Sequence, residues 1–263
     1  MQLRNARGRG HLISKWFQVG DFCMHARVSK KIFPEETLSV VLVHGLVVSS
    51  RYMVPFAELL SEYFRVFALD LPGFGKSAKP SHVLTVSELA NALIAWMDVS
   101  RLKRAAFLGN SLGCQIIVDA AMRHPGYFER AVLTSPTIDP RGRTAGEQVK
   151  RWIMDFPLER SSFAVALIKD FVSAGPRRFV RTFKYALEDV VEEKMPRVHI
   201  PTLVVRGLRD PIVSQDWAEK STALLPNGRL MIVPGAPHCI NYSRPRELLT
   251  VILPFLSEIR LQD

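Results

Sequence analysis

The chain has 263 residues, an ordinary length for one α/β domain and enough to bury a large core. Apolar residues make up 48% and charged residues 23%, which excludes disordered and fibrous classes, and the net charge of +10 is scattered without a basic stripe or DNA-binding motif, which argues against nucleic acid as partner. The three cysteines, Cys23, Cys114 and Cys239, form neither a CxxC nor a disulfide framework and point to a reducing, cytoplasmic setting.

Residues 1–11 form a basic tail without the apolar run of a secretory signal. The longest apolar run, Leu248 to Leu256, is too short to cross a bilayer and contains Pro254, so no stable membrane insertion is expected. Two β-like runs, Ile13–Val19 and Phe22–Val28, are split by Gly20-Asp21 and predict a hairpin. "LSVVLV", Leu38 to Val43, is apolar on both faces and predicts a buried parallel strand ending at His44-Gly45. A helix follows over Tyr52–Phe64, then a strand over Arg65–Leu71 and a Pro-Gly-x-Gly turn from Pro72 to Gly75.

The alternation continues with a helix over Val86–Met97, a strand over Ala105–Leu108, a helix over Ser111–Arg123 and a strand over Ala131–Ser135. Further on come a strand over Thr202–Arg206, a helix over Asp216–Leu225, a strand over Arg229–Val233 and a last helix over Arg246–Ile259. Strand and helix in this rhythm predict an α/β fold, a mostly parallel central sheet with helices on both faces. Residues 12–137 and 200–263 are read as its core.

Residues 138–199 break the rhythm. Helical patterns recur over Gly146–Met154, Ser162–Val172, Arg178–Leu187 and Val190–Met195, without a convincing strand. A compact domain does not tolerate a structureless loop of this length. The segment is read as a helical cap over the carboxyl ends of the strands, where open α/β sheets bind ligands.

The chemistry-bearing residues sit at strand ends. In "FLGNSLGC", Ser111 lies between Gly109 and Gly113, where a strand turns sharply into a helix. A serine hydroxyl is a poor nucleophile unless a base takes its proton and a third group orients that base. "TLVVRGLRD" ends on Asp210 and "LMIVPGAPHC" brings His238, each just past a strand. The plainer readings are a helix-capping serine, a turn aspartate before Pro211 and a structural loop histidine. Asp139 is a weaker competitor for the acid.

The order Ser111, Asp210, His238, with "VLVHGL", "LDLPGFGKS", "GNSLG", "RGLRD" and "GAPH" in sequence, resembles the α/β-hydrolase fold superfamily from roughly residue 12 to 260. The resemblance implies Ser111 as nucleophile, His238 as base, Asp210 as orienting acid, and an oxyanion hole from the backbone N–H groups of Leu46 and Leu112. It implies no cofactor and no metal. His44 shapes the oxyanion loop, and Asp70 and Lys76 hold the Pro-Gly turn.

Serine at the elbow argues against dehalogenases and epoxide hydrolases. The leading expectation is a serine hydrolase, a carboxylesterase cleaving small or medium esters through an acyl-enzyme. A carbon–carbon hydrolase of ring-cleavage products is the alternative, weakened by "HGLVVSS" in place of a glycine-rich run and by Cys239 where tryptophan is usual. A lactonase lies between the two, and a non-catalytic ligand binder is the outlying reading. The expected partner is a small ester or related carbonyl compound, with a homodimer left open. Trp152 and Phe163 are expected to line an apolar pocket. Arg177 and Arg181, four apart on one helix, are expected to read a carboxylate on the substrate, against the plainer reading of a solvated basic face.

Overall fold

The computed structural model describes residues 11–258. Residues 1–10 of the expected basic tail lie outside the described residues, as does Ile259 of the expected last helix. The hairpin forms as read: β1 (Leu12–Val19) pairs antiparallel with β2 (Phe22–Ser29), and Gly20 takes the positive φ of 53° that the tight turn requires. Then come β3 (Ser39–Val43), α1 (Ser50–Leu60), β4 (Arg65–Leu69), α2 (Val86–Ser100), β5 (Ala105–Asn110), α3 (Leu112–Arg123) and β6 (Phe128–Thr134). The eight-stranded sheet runs β1-β2-β4-β3-β5-β6-β7-β8, with β7 at Thr202–Gly207 and β8 at Gly228–Val233. All neighbours from β4 onward are parallel, while β1–β2 and β2–β4 are antiparallel.

The apolar run of β3 is buried on both faces because each face has its own core. Val41 and Val43 pack in one cluster with Leu93 of α2 and Ile117 of α3. Val40 and Leu42 pack in the other with Phe56 of α1 and Ile252 of α10 (Pro245–Ser257). Alternate residues thus serve opposite layers, which is why the strand reads as continuous rather than alternating.

Two elements, α1 and β4, end well short of their patterns, by two residues or more. Helix α1 stops at Leu60, where the Ser61 hydroxyl turns back on the Glu58 carbonyl at 2.7 Å, so Phe64 is buried from a turn instead. Strand β4 stops at Leu69 because Asp70 becomes a loop hub. Its carboxylate accepts the Ser50 N–H at 2.6 Å and the Lys76 N–H at 2.8 Å and pairs with His25 at 2.7 Å. Burial alone would raise its pKa, but these bonds hold it down to about 2.

Between β6 and β7 run α4 (Ala145–Asp155), α5 (Ser161–Ala174), α6 (Pro176–Glu188) and α7 (Val191–Lys194), with short 3₁₀ turns and no strand. Asp170 of α5 ties this insertion to the start of α1, accepting from Ser49 Oγ at 2.7 Å and Arg51 Nε at 3.2 Å. After β7 come α8 (Gln215–Leu224), β8, a short α9 (Ile240–Ser243) and α10. Helix α9 has one turn, too short to leave a periodic signal.

Candidate active site

Ser111 sits on the turn from β5 into α3 with φ 55° and ψ −120°, a left-handed conformation that a serine adopts only where its surroundings impose it. The two glycines make that turn possible. A Cβ on Gly109 would lie 2.6 Å from the Gly113 carbonyl carbon, and a Cβ on Gly113 would lie 2.4 Å from the Val43 carbonyl oxygen. The Ser111 hydroxyl makes no capping bond to its helix, so the capping reading fails. Its contact is Thr137 Oγ1 at 3.5 Å.

Asp210 and His238 are both buried and meet at 3.0 Å, carboxylate Oδ2 to ring Nδ1. The Asp210 turn role and its pairing role coexist, since Oδ1 accepts the N–H groups of Ile212 at 2.8 Å and Val213 at 3.0 Å. Burial works to raise the Asp210 pKa, but the His238 charge and these hydrogen bonds hold it below the usual range. Burial likewise works to lower the His238 pKa. The Asp210 charge and hydrogen bond, with the charges of Asp155 and Glu159, reverse that and raise it to about 9. Asp139 does not compete for the histidine: it accepts from Ser214 Oγ at 2.9 Å and pairs with Arg141.

Ser111 and His238 line one cavity of about 330 Å³, together with Gly45 and Leu46. Gly45 is pressed against the elbow, its place for a Cβ only 3.4 Å from Ser111 Cβ. His44 fixes this loop. Its Nε2 accepts the Leu71 N–H at 3.1 Å and its Nδ1 donates to the Gly45 carbonyl at 2.8 Å, so the ring is neutral, and burial lowers its pKa. Leu112 is the first residue of α3, where backbone N–H groups have no partner within the helix.

A hydrogen-bonded chain that sequence reasoning missed joins the three loops. Gly45 N–H donates to Tyr52 Oη at 3.2 Å, Tyr52 Oη donates to Asn110 Oδ1 at 2.9 Å, and Asn110 Nδ2 donates to the His238 carbonyl at 3.1 Å. A tyrosine on the apolar stripe of α1 was the available signal, because a buried phenol needs a partner. Also missed were two acids of the insertion. Asp155 Oδ1 accepts the His238 N–H at 3.1 Å, and Glu159 Oε1 accepts the Cys239 N–H at 2.7 Å. Asp155 lines the cavity, and burial is the main cause that raises its pKa to about 7.

The insertion supplies the apolar wall. Trp152 and Phe163 line the cavity, with Phe171 and Phe179 beside them. Trp152 packs against Phe183 with ring centroids 4.8 Å apart, tilted at 43°. Phe156 and Ile168 line it too yet are 52% and 63% exposed, which places them at its mouth. The two arginines of α6 lie elsewhere. Arg177 and Arg181 are exposed and absent from the cavity wall. Spacing put them on one face of α6, but that face is turned to water, while Phe179 and Phe183 share the inner one. Arg178 is the partly buried arginine, and its Nη2 donates to the Pro80 carbonyl at 3.1 Å. The thiols of Cys114 and Cys239 are buried, and burial pushes both well above their usual pKa.

Residues 40–251 match the model of the alpha/beta hydrolase family. Carboxylesterase YbfK of Bacillus subtilis is 25% identical over 244 residues, covering 85% of this chain and 81% of its own. A bacterial membrane phospholipase A superposes with a TM-score of 0.80 at 22% identity, covering 96% of this chain and 88% of its own. The 2-hydroxy-6-oxo-6-phenylhexa-2,4-dienoate hydrolase of Rhodococcus sp. strain RHA1 superposes with a TM-score of 0.75 at 19% identity, covering 94% and 99%. At these identities the superpositions show a shared fold. Among the described residues no helix is long and apolar enough to cross a membrane.

Proposed function

This chain belongs to the alpha/beta hydrolase family, and from that premise we propose that it is a carboxylesterase working through an acyl-enzyme. The observation that carries the reading is the opening of Ser111 and the Asp210-paired His238 into one apolar cavity. Ser111 Oγ attacks the ester carbonyl while His238 Nε2 takes its proton. The oxyanion is held by the N–H groups of Leu46 and Leu112. His238 then gives the proton to the leaving alcohol, and water releases the acid by the same route. At rest the Ser111 hydroxyl lies 3.5 Å from Thr137 Oγ1, and it turns to His238 to give up its proton.

The helical insertion acts as the cap that selects the substrate. The cavity wall contains no Lys or Arg and does contain Asp155, which disfavours substrates bearing a carboxylate. A panel of neutral nitrophenyl esters, lactones and a dienone acid tests this. Esters are expected to be turned over fastest, and a preference for the dienone acid or for lactones would replace the esterase reading with the corresponding alternative.

Chain-length preference follows the aromatic wall. Trp152→Ala and Phe163→Ala each enlarge the cavity, and a methylene in an apolar pocket is worth about 1–3 kcal/mol. The ratio of kcat/KM for octanoyl over acetyl ester is expected to rise roughly tenfold in at least one of the two. An unchanged ratio in both would mean that these rings only bury the cap against the core.

The acidic limb of kcat/KM reports the deprotonation of His238, because only neutral imidazole accepts the serine proton. With that pKa raised to about 9, activity climbs with pH through the neutral range. An ionised Asp155 favours the imidazolium and so holds the limb high. Asp155→Asn keeps an oxygen for the His238 N–H but removes the charge, and should move the limb down by roughly one pH unit. A pH–rate profile that does not move, or moves upward, would contradict this.

A further inference from the structure

A second Asp-His-Ser relay stands on the outer side of the sheet, separate from the cavity. In the β1–β2 hairpin Trp16 faces His25, which sets Ser14 diagonally across from His25 on the same face. His25 Nε2 lies 2.9 Å from Ser14 Oγ, and His25 Nδ1 lies 2.7 Å from Asp70 Oδ2. Lys76 Nζ donates to Ser14 Oγ at 3.4 Å.

In the neutral form of the His25 ring the hydrogen directions follow from chemistry. Asp70 is ionised, so it can only accept, and His25 Nδ1 carries the proton. Nε2 is then the acceptor, and the Ser14 hydroxyl donates to it. Lys76 can only donate, and it does so to the serine oxygen. Every group in the row Lys76, Ser14, His25, Asp70 is therefore oriented as in an activated serine. His25 is held fast: it is fully buried, and its backbone N–H donates to Ser77 Oγ at 2.8 Å. Ser14 is half-buried, and the Lys76 side chain that reaches its hydroxyl is exposed, which leaves that side open to solvent.

We propose that Ser14 is a second activated serine, able to accept acyl or phosphoryl groups from small electrophilic donors at the sheet edge. In the transfer, a bond forms from Ser14 Oγ to the donor's carbonyl carbon or phosphorus while His25 Nε2 takes the hydroxyl proton. The bond to the leaving group breaks, and the group departs as an alcohol with the His25 proton, or as fluoride with that proton released to water. Lys76 stands beside the developing negative charge. One mobile ammonium replaces the pair of fixed amides of the Ser111 site, so a lasting adduct is expected rather than turnover.

The test uses the Ser111→Ala protein, which silences the main site, and diisopropyl fluorophosphate as probe. Intact mass should show one phosphoryl adduct, and peptide mapping should place it on Ser14. General-base assistance typically contributes 10²–10⁴-fold. Ser14 is therefore expected to react roughly a hundredfold or more faster than exposed Ser81 in the same digest. The doubly substituted Ser111→Ala/Ser14→Ala protein should lose the adduct, and His25→Gln in the Ser111→Ala background should slow it to the Ser81 rate. No adduct on Ser14, a rate no faster than that of Ser81, or a folded His25→Gln protein reacting at full speed would each overturn the proposal. Should His25→Gln fail to fold, the ratio of Ser14 to Ser81 decides alone.

Discussion

Ser111→Ala is expected to lower kcat for a nitrophenyl ester by roughly 10⁴–10⁶-fold and to leave the fold intact. On the proposed acyl-enzyme route the loss is large because the hydroxyl is the atom that would bond to the substrate. The remaining members of the site can only polarise a carbonyl that nothing attacks. The fold survives because the hydroxyl carries little of it. Its hydrogen-bond contact is the 3.5 Å approach to Thr137, and the left-handed backbone at φ 55° is imposed by the elbow, which alanine leaves in place. Circular dichroism and the melting temperature should therefore match those of the native chain. A well-folded Ser111→Ala protein retaining turnover within tenfold of the native rate would remove Ser111 from the role of nucleophile.

The strand-end residues were legible because each is announced locally. The elbow needs glycines on both sides of the serine, and Asp210 and His238 each follow an apolar strand directly. The doubly buried β3 was equally plain from its unbroken apolar run. What stayed hidden depends on contacts between remote segments. Asp155 reaches the His238 N–H across 83 residues, and Asn110 reaches the His238 carbonyl across 128. No spacing rule connects such pairs before the insertion has folded over the sheet. The place of the α6 arginines was hidden for another reason. An i, i+4 spacing tells which residues share a face but not which face meets the cavity, and the phenylalanines interleaved with them took the inner one. Ser14 and His25 were individually unremarkable: the hairpin register brings Ser14 to His25, and the β2–β4 pairing brings His25 to Asp70.

Asp210→Asn is expected to lower kcat by about 10⁴-fold, nearly as much as losing the nucleophile, although it changes a single atom. The reason lies in the two amides that Asp210 already serves. The N–H groups of Ile212 and Val213 both point at Oδ1, so an asparagine must place its oxygen there. Its NH₂ group is then forced toward His238 Nδ1, where Oδ2 now sits at 3.0 Å. Facing a donor, Nδ1 must accept, and the ring proton moves to Nε2. The histidine is then held in the tautomer that cannot take the serine proton. The carboxylate charge that favours the imidazolium is lost as well, while burial continues to disfavour it, so the His238 pKa falls from about 9. The acidic limb of the residual activity should accordingly move to lower pH. Asp139 cannot substitute, because Ser214 and Arg141 hold it, and Asp139→Asn should leave the pH–rate profile in place. Measured together, kcat/KM profiles of the two variants separate the acids. If Asp210→Asn kept more than a tenth of native activity on an unshifted limb, another group would have to orient His238.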